Sequence, residues 1–381
     1  MSTETILTNA RVVTLDSEFE GTVVIRDGWI AEVSSGRSCA AGAIDLEGEF
    51  LLPGLVELHT DNLERHFAPR PGVKWPSVPA LMAHDTQVAA GGITTVFDSL
   101  ALGDVRGETD RVRNKERMIE AIRSTSEKRL TRVDHRLHLR CEIVAEDAVE
   151  TVDKWIDLPQ VGLISINDHT PGQRQFIDPE KLRLYHTKKY GMTNDEFEVF
   201  RAQSIALHEK NAVRHRKEIV SRAQARALPI ASHDDATREH VREAVQNGMT
   251  IAEFPTTQEA AEASREAGLA VLVGAPNLVL GGSHSGNIAA IDLIRTGNAE
   301  ILSSDYVPAS LMEGVFKLPQ SGVGISLPQA VRFASFNPAR AVGLDDRGEI
   351  AADRRADLVR VRMLEGAPIV RSVWREGARV V

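Results

Sequence analysis

The chain has 381 residues, 42% of them apolar and 26% charged, an ordinary balance for a folded globular protein that excludes disorder and fibrous repeats. A formal net charge of -9 argues against non-specific attraction to nucleic acid or an anionic membrane surface, so an anionic ligand would need a local basic pocket. The length suits one large barrel-type domain with a smaller unit beside it.

Cys39 and Cys141 are the only cysteines, far apart and without metal-type spacing, so no disulfide framework and a reducing compartment are expected. The start, MSTETILTNARVV, has no basic segment followed by an apolar core, and no apolar run is long enough to span a membrane. A cytoplasmic protein with no membrane and no nucleic-acid partner is expected. From Ile6 to Glu49 the pattern is short β-type runs broken by Asp27-Gly28, Ser35-Gly36 and Gly42. ADLVRVRM and APIVRSVWREGARVV near the C-terminus have the same texture, which predicts one small β domain from residues 1–50 and 345–381.

Residues 51–62, LLPGLVELHTDN, read as an apolar strand with a polar tip. Alternate side chains of a strand share a face, so Leu55, Glu57, His59 and Asp61 are predicted on one side, with Val56 and Leu58 on the other. An imidazole and a carboxylate two residues apart can reach one divalent ion. Taken alone, Asp61-Asn62 reads first as turn chemistry, so the rest of the chain decides.

Apolar runs of strand length follow at 92–100, 135–144, 161–171, 228–236, 249–257, 270–277 and 300–308. Most are separated by segments of helical spacing such as VRNKERMIEAIRSTSEKRL, read as a helix with a solvated face, and TQEAAEASREAGL. Counting the first, eight strand–helix units predict an α/β fold with a closed (β/α)8 barrel over 51–344, and no internal repeat stands out beyond that alternation. The connection at 173–227 is too long for one crossover helix. At least two helices extending from the barrel mouth are expected, as a lid, a subunit contact or a solvated insertion.

Such a barrel carries its site at the C-terminal ends of its strands. An apolar outer face turns His138, Arg140 and Glu142 inward, and likewise Ser165, Asn167 and His169. Ser232-His233-Asp234-Asp235 is ambiguous, since both faces carry small or polar residues, while Ile301, Ser303 and Asp305 share a face. Buried unpaired charge is expensive, so acids and imidazoles converging on one spot predict a metal centre. His135, His186, His208, His215 and His240 are read as structural, and Trp75 as a packing anchor.

Together, His59-x-Asp61, the third-strand Glu142, His169, His233, the final Asp305 and the split β domain resemble the amidohydrolase superfamily. Asp61 departs from the usual His-x-His, and Glu253 stands where many relatives have His. ELHTDNLERHFAPRPGVKWP, AHDTQVAAGGITTVFDSLALGDVR, DHTPGQRQF, ASHDDAT, GAPNLVLGGSHSGN and SSDYVPASL narrow the likeness to the superfamily's phosphonate-metabolism branch, over nearly the whole chain. The resemblance implies a (β/α)8 barrel of amidohydrolase type with a small β-sandwich formed from both chain ends. It implies one or two divalent ions, zinc first with manganese or iron as alternatives, on His59, Asp61, Glu142, His169, His233 and Asp305. Glu142 would bridge two ions, and Asp305 would also be the general base.

The implied reaction is hydrolysis between the α and β phosphorus of a ribose 1-methylphosphonate 5-triphosphate, releasing pyrophosphate, by a homo-oligomer working alongside other phosphonate-pathway enzymes. Such an anionic substrate needs donors, expected from Arg70, Lys74, Arg140, Gln173, Arg174, Asn277, Ser283, His284 and Ser285. A cyclic-amide hydrolase or nucleobase deaminase is the alternative chemistry, and a non-catalytic metal-binding subunit the alternative class.

Overall fold

The structure is a computed structural model that describes residues 4–70, 72–104, 110–174, 182–183, 187, 191–283 and 286–381. The chain begins with β1 (Glu4–Val13), β2 (Glu18–Arg26), β3 (Trp29–Ser35), β4 (Ile44–Asp45) and β5 (Phe50–Pro53). Gly54 then hands the chain to the barrel. A Cβ there would lie 2.2 Å from Thr94 Oγ1, and the Gly54 amide donates to Asp357 O at 2.7 Å, so the crossing point admits only glycine without rearrangement.

The barrel strands are β6 (Leu55–Thr60), β7 (Ile93–Leu102), β8 (Asp134–Glu142), β9 (Val161–Asn167), β10 (Ile230–His233), β11 (Ile251–Glu253), β12 (Ala270–Gly274) and β13 (Ile301–Ser303), parallel and paired in sequence order. β14 (Leu358–Leu364), β15 (Ala367–Arg375) and β16 (Ala378–Arg379) return to the first sheet, whose order is β16-β15-β14-β5-β1-β2-β3 with β4 on β1. Both chain ends therefore meet where β5 lies between β1 and β14. Three of its hairpins turn on two residues with positive φ, Asp27-Gly28, Glu365-Gly366 and Glu376-Gly377, the geometry that matches the strand twist.

Two apolar layers surround the barrel wall. Leu100, Leu137, Leu139, Cys141, Ile164, Ile166, Val271 and Leu302 pack outward on helices. Val56, Leu58, Phe97, Leu163, Ala231, Ile251, Leu272 and Ile301 fill the interior, with Ala339, Val342 and Leu344. The helices are α1 (Asn62–Phe67), α2 (Ser77–Ala90), α3 (Asp110–Glu127), α4 (Ala148–Trp155), α5 (Asn194–Gln224), α6 (Arg238–Gln246), α7 (Gln258–Glu266), α8 (Ala275–Leu280), α9 (Ala290–Arg295), α10 (Ser310–Lys317), α11 (Leu327–Arg332) and α12 (Phe336–Ala341). No described helix is long and apolar enough to cross a membrane.

The units β10–α6 and β11–α7 repeat each other twenty residues apart, a likeness that the sequence reading missed. Asp234 and Phe254 both have φ above +50°, Thr237 and Thr257 cap α6 and α7 in the same extended conformation, and Gly248 and Gly268 both follow with positive φ. In the long connection the described part is mainly one helix, the 31-residue α5, begun by a capping box of Thr193 and Glu196. Part of the expected second helix lies outside the described residues.

Candidate metal centre

β6 departs from the simple alternation that its sequence suggests. Val56 and Leu58 line the barrel, whereas Leu55 packs outward with the helix-facing cluster. Pairing with β7 steps from Glu57–Val96 to Thr60–Asp98, so β6 carries an extra residue at Leu58–His59. A bulge of this kind re-aims side chains, and His59 joins the interior despite the parity of its neighbours. Its ring meets His138 edge-on at 5.1 Å and stacks on His233 at 5.5 Å.

The same bulge adjoins the seam where the barrel closes. Among the described residues, β6 is linked to the segment just past β13 by a bridge between Thr60 and Asp305, supplemented by Thr60 Oγ1 donating to Asp305 O at 2.6 Å and Ser303 Oγ donating to His59 O at 2.6 Å. Glu57 fills the seam: its carboxylate accepts from His59 N at 2.7 Å and Ser304 N at 2.5 Å.

Glu253 is the centre of the cluster. One of its oxygens lies 3.2 Å from His59 Nδ1 and the other 3.2 Å from His233 Nδ1. On the far side, His169 Nδ1 is bonded to Glu142, and the His169 amide donates to Glu142 Oε1 at 3.3 Å. In this cluster two sets of side chains, His59–His138–Glu253 and His169–His233–Asp234, each bring their nitrogen and oxygen ligand atoms within 4.8 Å of one another. The first set is weaker than its spacing suggests. His138 Nε2 bonds Ser165 Oγ at 2.8 Å and Nδ1 bonds Leu58 O at 3.0 Å, so this imidazole reads as floor rather than ligand. Burial and nearby Arg140 push its pKa down to about 3, which keeps it neutral.

The electrostatics point to a cation. Burial pushes Glu253 well above the usual carboxylate range, against the pull of Arg140 and with the repulsion of Asp234, Glu57 and Asp305. Burial and then Asp61 raise Asp305 to about 7, burial raises Asp234 to about 6, and burial raises Glu57 to about 7 despite its N–H donors. A divalent ion among these acids would reverse the repulsion, and a mixed imidazole–carboxylate set suits zinc and related metals. The residues present therefore fit a metal centre.

Asp61 stands at the N-cap position of α1 without a side-chain capping bond, and its amide lies 3.3 Å from Asp305 O. Arg140 reaches into the cluster with Nη2 3.5 Å from His233 Nε2, while its buried Nε and the buried Asn167 Nδ2 have no hydrogen-bond partner among the described residues. Arg70 and Lys74 are exposed on the connection after α1, and Gln173 is half-buried.

Two expected substrate donors are committed elsewhere. Arg174 is buried and ion-paired to Asp235 and, at 2.8 Å, to Glu243, so it ties the β9 loop to β10 and α6 instead of facing ligand. Asn277 bonds Ile288 O at 3.3 Å and Ala290 N at 3.0 Å, which spans the ends of the Gly-rich loop. Ser283 is half-buried in that loop, and His284 and Ser285 lie outside the described residues, as does His186. Sequence reasoning did not assign Glu253 and Asp234 to the ligand set, or give Glu57 a role. The signal for the first two was the shared strand–turn–Thr pattern of β10 and β11; for Glu57 there was none.

A model of the amidohydrolase family matches residues 205–380. The chain is 45% identical over 376 residues to alpha-D-ribose 1-methylphosphonate 5-triphosphate diphosphatase of Escherichia coli, covering 98% of this chain and 100% of that protein. It is 25% identical over 392 residues to imidazolonepropionase of Deinococcus deserti, covering 95% of this chain and 92% of that one. Among solved structures, dihydropyrimidinase from Brevibacillus agri aligns with a TM-score of 0.65 at 16% identity, over 100% of this chain and 95% of that chain. N-acetyl-D-glucosamine-6-phosphate deacetylase from Mycobacterium smegmatis aligns with a TM-score of 0.63 at 18% identity, over 100% of each chain. The structural likenesses carry the fold alone; with the full-length sequence match and the imidazole–carboxylate cluster at the strand ends, this chain belongs to the amidohydrolase family.

Proposed function

We propose that this protein hydrolyses alpha-D-ribose 1-methylphosphonate 5-triphosphate between its α and β phosphorus atoms, yielding the 5-phosphate and pyrophosphate in phosphonate utilisation. The observation that carries the reading is full-length 45% identity to the diphosphatase, on a chain whose strand ends gather the acids and imidazoles that a metal-dependent hydrolase needs.

His59, Asp61, His169, His233 and Asp305 would hold the metal, with Glu142, Glu253 and Asp234 as the further carboxylates in reach. Zinc fits the donor set first, in one or two ions, with manganese or iron as alternatives. When bound, such an ion supplies Lewis acidity that makes water a nucleophile at neutral pH. Asp305 is the proton acceptor for the attacking water. Its backbone carbonyl takes hydrogen bonds from Thr60 Oγ1 and the Asp61 amide, which fixes it across the seam from β6. Arg140 Nε and Asn167 Nδ2 have no hydrogen-bond partner among the described residues, so they could meet phosphoryl oxygens as charge develops on the leaving pyrophosphate. Arg70 and Lys74 would screen the outer phosphates, and Gln173, Ser283, His284 and Ser285 would add neutral or titratable donors. Arg174 and Asn277 are left to structure.

Phosphorus NMR of the products from several 5-triphosphates tests this, run on protein of counted metal content. Pyrophosphate should appear with the 5-phosphate. Stepwise orthophosphate release, or hydrolysis of cyclic amides with triphosphates untouched, would overturn the assignment.

A further inference from the structure

The outer face of a barrel strand packs on helices and is normally apolar, yet β7 and β8 turn Asp98 and His135 outward, and α2 meets them with His84 and Asp85. All four are buried. Hydrogen bonds join them in one line. Asp85 takes the Arg132 and Val133 amides and lies 3.3 Å from His135 Nε2. His135 Nδ1 is 2.7 Å from Asp98 Oδ2, and His84 Nε2 is 2.7 Å from Asp98 Oδ1. His84 Nδ1 is 3.0 Å from Asn62 Nδ2. Asn62 is the first residue of α1 and follows Asp61 directly.

The chemistry fixes the direction of each bond. The Asp98 carboxylate only accepts, so His84 carries its proton on Nε2 and keeps Nδ1 free to accept from the Asn62 amide, which also donates to Gln87 Oε1 at 2.9 Å. A buried charged line is not needed for stability, since well-packed apolar residues of like volume often serve as well. It cannot be a proton path to the metal centre either, because a side-chain amide at its inner end does not relay protons. Positioning remains. We propose that Asp98, through the tautomer it imposes on His84, orients Asn62 and thereby aims the adjoining Asp61 carboxylate at the metal centre. Asp98, His84 and Asn62 are positioning residues, and the proposal rests on the reading of Asp61 as a ligand.

The test uses full-length protein as five variants: Asp61→Asn, Asn62→Ala, His84→Gln, Asp98→Asn and the pair Asp98→Asn with Asn62→Asp. Zinc affinity is read by chelator competition, cobalt-loaded protein by its visible spectrum, and turnover as kcat and KM separately. Asp61→Asn should lose metal affinity. Asn62→Ala and Asp98→Asn should weaken it about 10- to 100-fold, the usual effect of losing a partner one shell out, shift the cobalt bands and lower kcat more than they raise KM. In the double variant the new amide at position 98 donates to His84 Nε2, the proton moves to Nδ1 and the new carboxylate at 62 accepts it. Cobalt spectrum and affinity should then recover, whereas a role in folding alone would make the double variant worse than either single one. Asn62→Ala tests the idea even if Asp98→Asn fails to fold. Wild-type affinity and spectrum in Asn62→Ala overturn the proposal and leave the ligand reading standing. Wild-type affinity in Asp61→Asn overturns both. Loss of one whole metal equivalent in His84→Gln would make the line a metal site itself and also overturn the proposal.

Discussion

At the strand tips, non-glycine residues in the left-handed region, Asp234, Phe254 and Asp305, turn the chain so that successive side chains can enter one site. Each such conformation costs on the order of 1–3 kcal/mol and persists only where the surroundings hold it. Here the holding contacts are visible. The Asp234 amide bonds Glu253 O at 2.9 Å, and the Phe254 amide bonds Leu272 O at 2.9 Å. Phe254 also packs edge-on against His59 and His233, at 5.0 Å and 5.6 Å. Because Glu253 lies between those two imidazoles, Glu253→Gln should lower the metal bound per chain, measured by elemental analysis after dialysis, more than it lowers folded content by circular dichroism. Asp305→Asn should cut kcat about 10²- to 10⁴-fold, the range for removing a general base, in a steady-state pyrophosphate assay.

The long helix α5 acts as a brace for the strand ends of β8 and β9. Asn211 Nδ2 donates to Val144 O at 3.0 Å, and His215 Nδ1 donates to Ile143 O at 2.9 Å, both just past Glu142. His208 Nδ1 lies 3.0 Å from Asp168, the neighbour of His169. Arg216 joins Glu243, which also holds Arg174, so the brace reaches α6 and the β9 loop. The two carbonyls belong to Ile143 and Val144, which are fully buried. Asn211→Leu should therefore cost about 1–3 kcal/mol by urea unfolding, the range for a buried polar group left unmade. A change below about 0.5 kcal/mol would count against the brace. The sequence marked this stretch as helical and charged, but not which residues face inward, because its burial pattern is set by the barrel it lies on.

For the whole molecule, the buried line behind β7 and β8 sets a dependence of stability on pH. Burial alone would lower His135, but Asp98 and Asp85 raise it from 6.5 to about 9, while His135 and His84 overcome burial to hold Asp98 at about 2. A raised imidazole contributes stability that is complete below its unfolded pKa, here 6.5, and that is lost as pH rises through about 9. The depressed Asp98 contributes above 3.8, and that part is lost as pH falls through about 2. His135→Gln should flatten the fall in unfolding free energy between pH 6.5 and 9, followed by urea titration at several pH values; an unchanged slope would show that His135 is not charged in the native protein. Zinc should raise the melting temperature and chelation lower it, since a ligand of the native state alone stabilises it by mass action.

The alternation of strands and helices was readable from the sequence because periods of two and of 3.6 are local, and the same locality put His59, His169, His233 and Asp305 at strand ends. Turns such as Asp27-Gly28 carry their own conformational requirement. What only the tertiary structure decided depends on partners distant in sequence. The β6–β13 seam joins Thr60 to Asp305, 245 residues apart, and the β6 bulge that brings His59 inward breaks the parity that its neighbours obey. Glu253 and Asp234 entered the cluster through left-handed turns that no composition rule demands of Phe or Asp. Arg174 and Asn277 had the right chemistry for phosphate, but a side chain serves whichever partner its neighbours bring within hydrogen-bond reach, and here those partners were carboxylates and backbone of the protein itself.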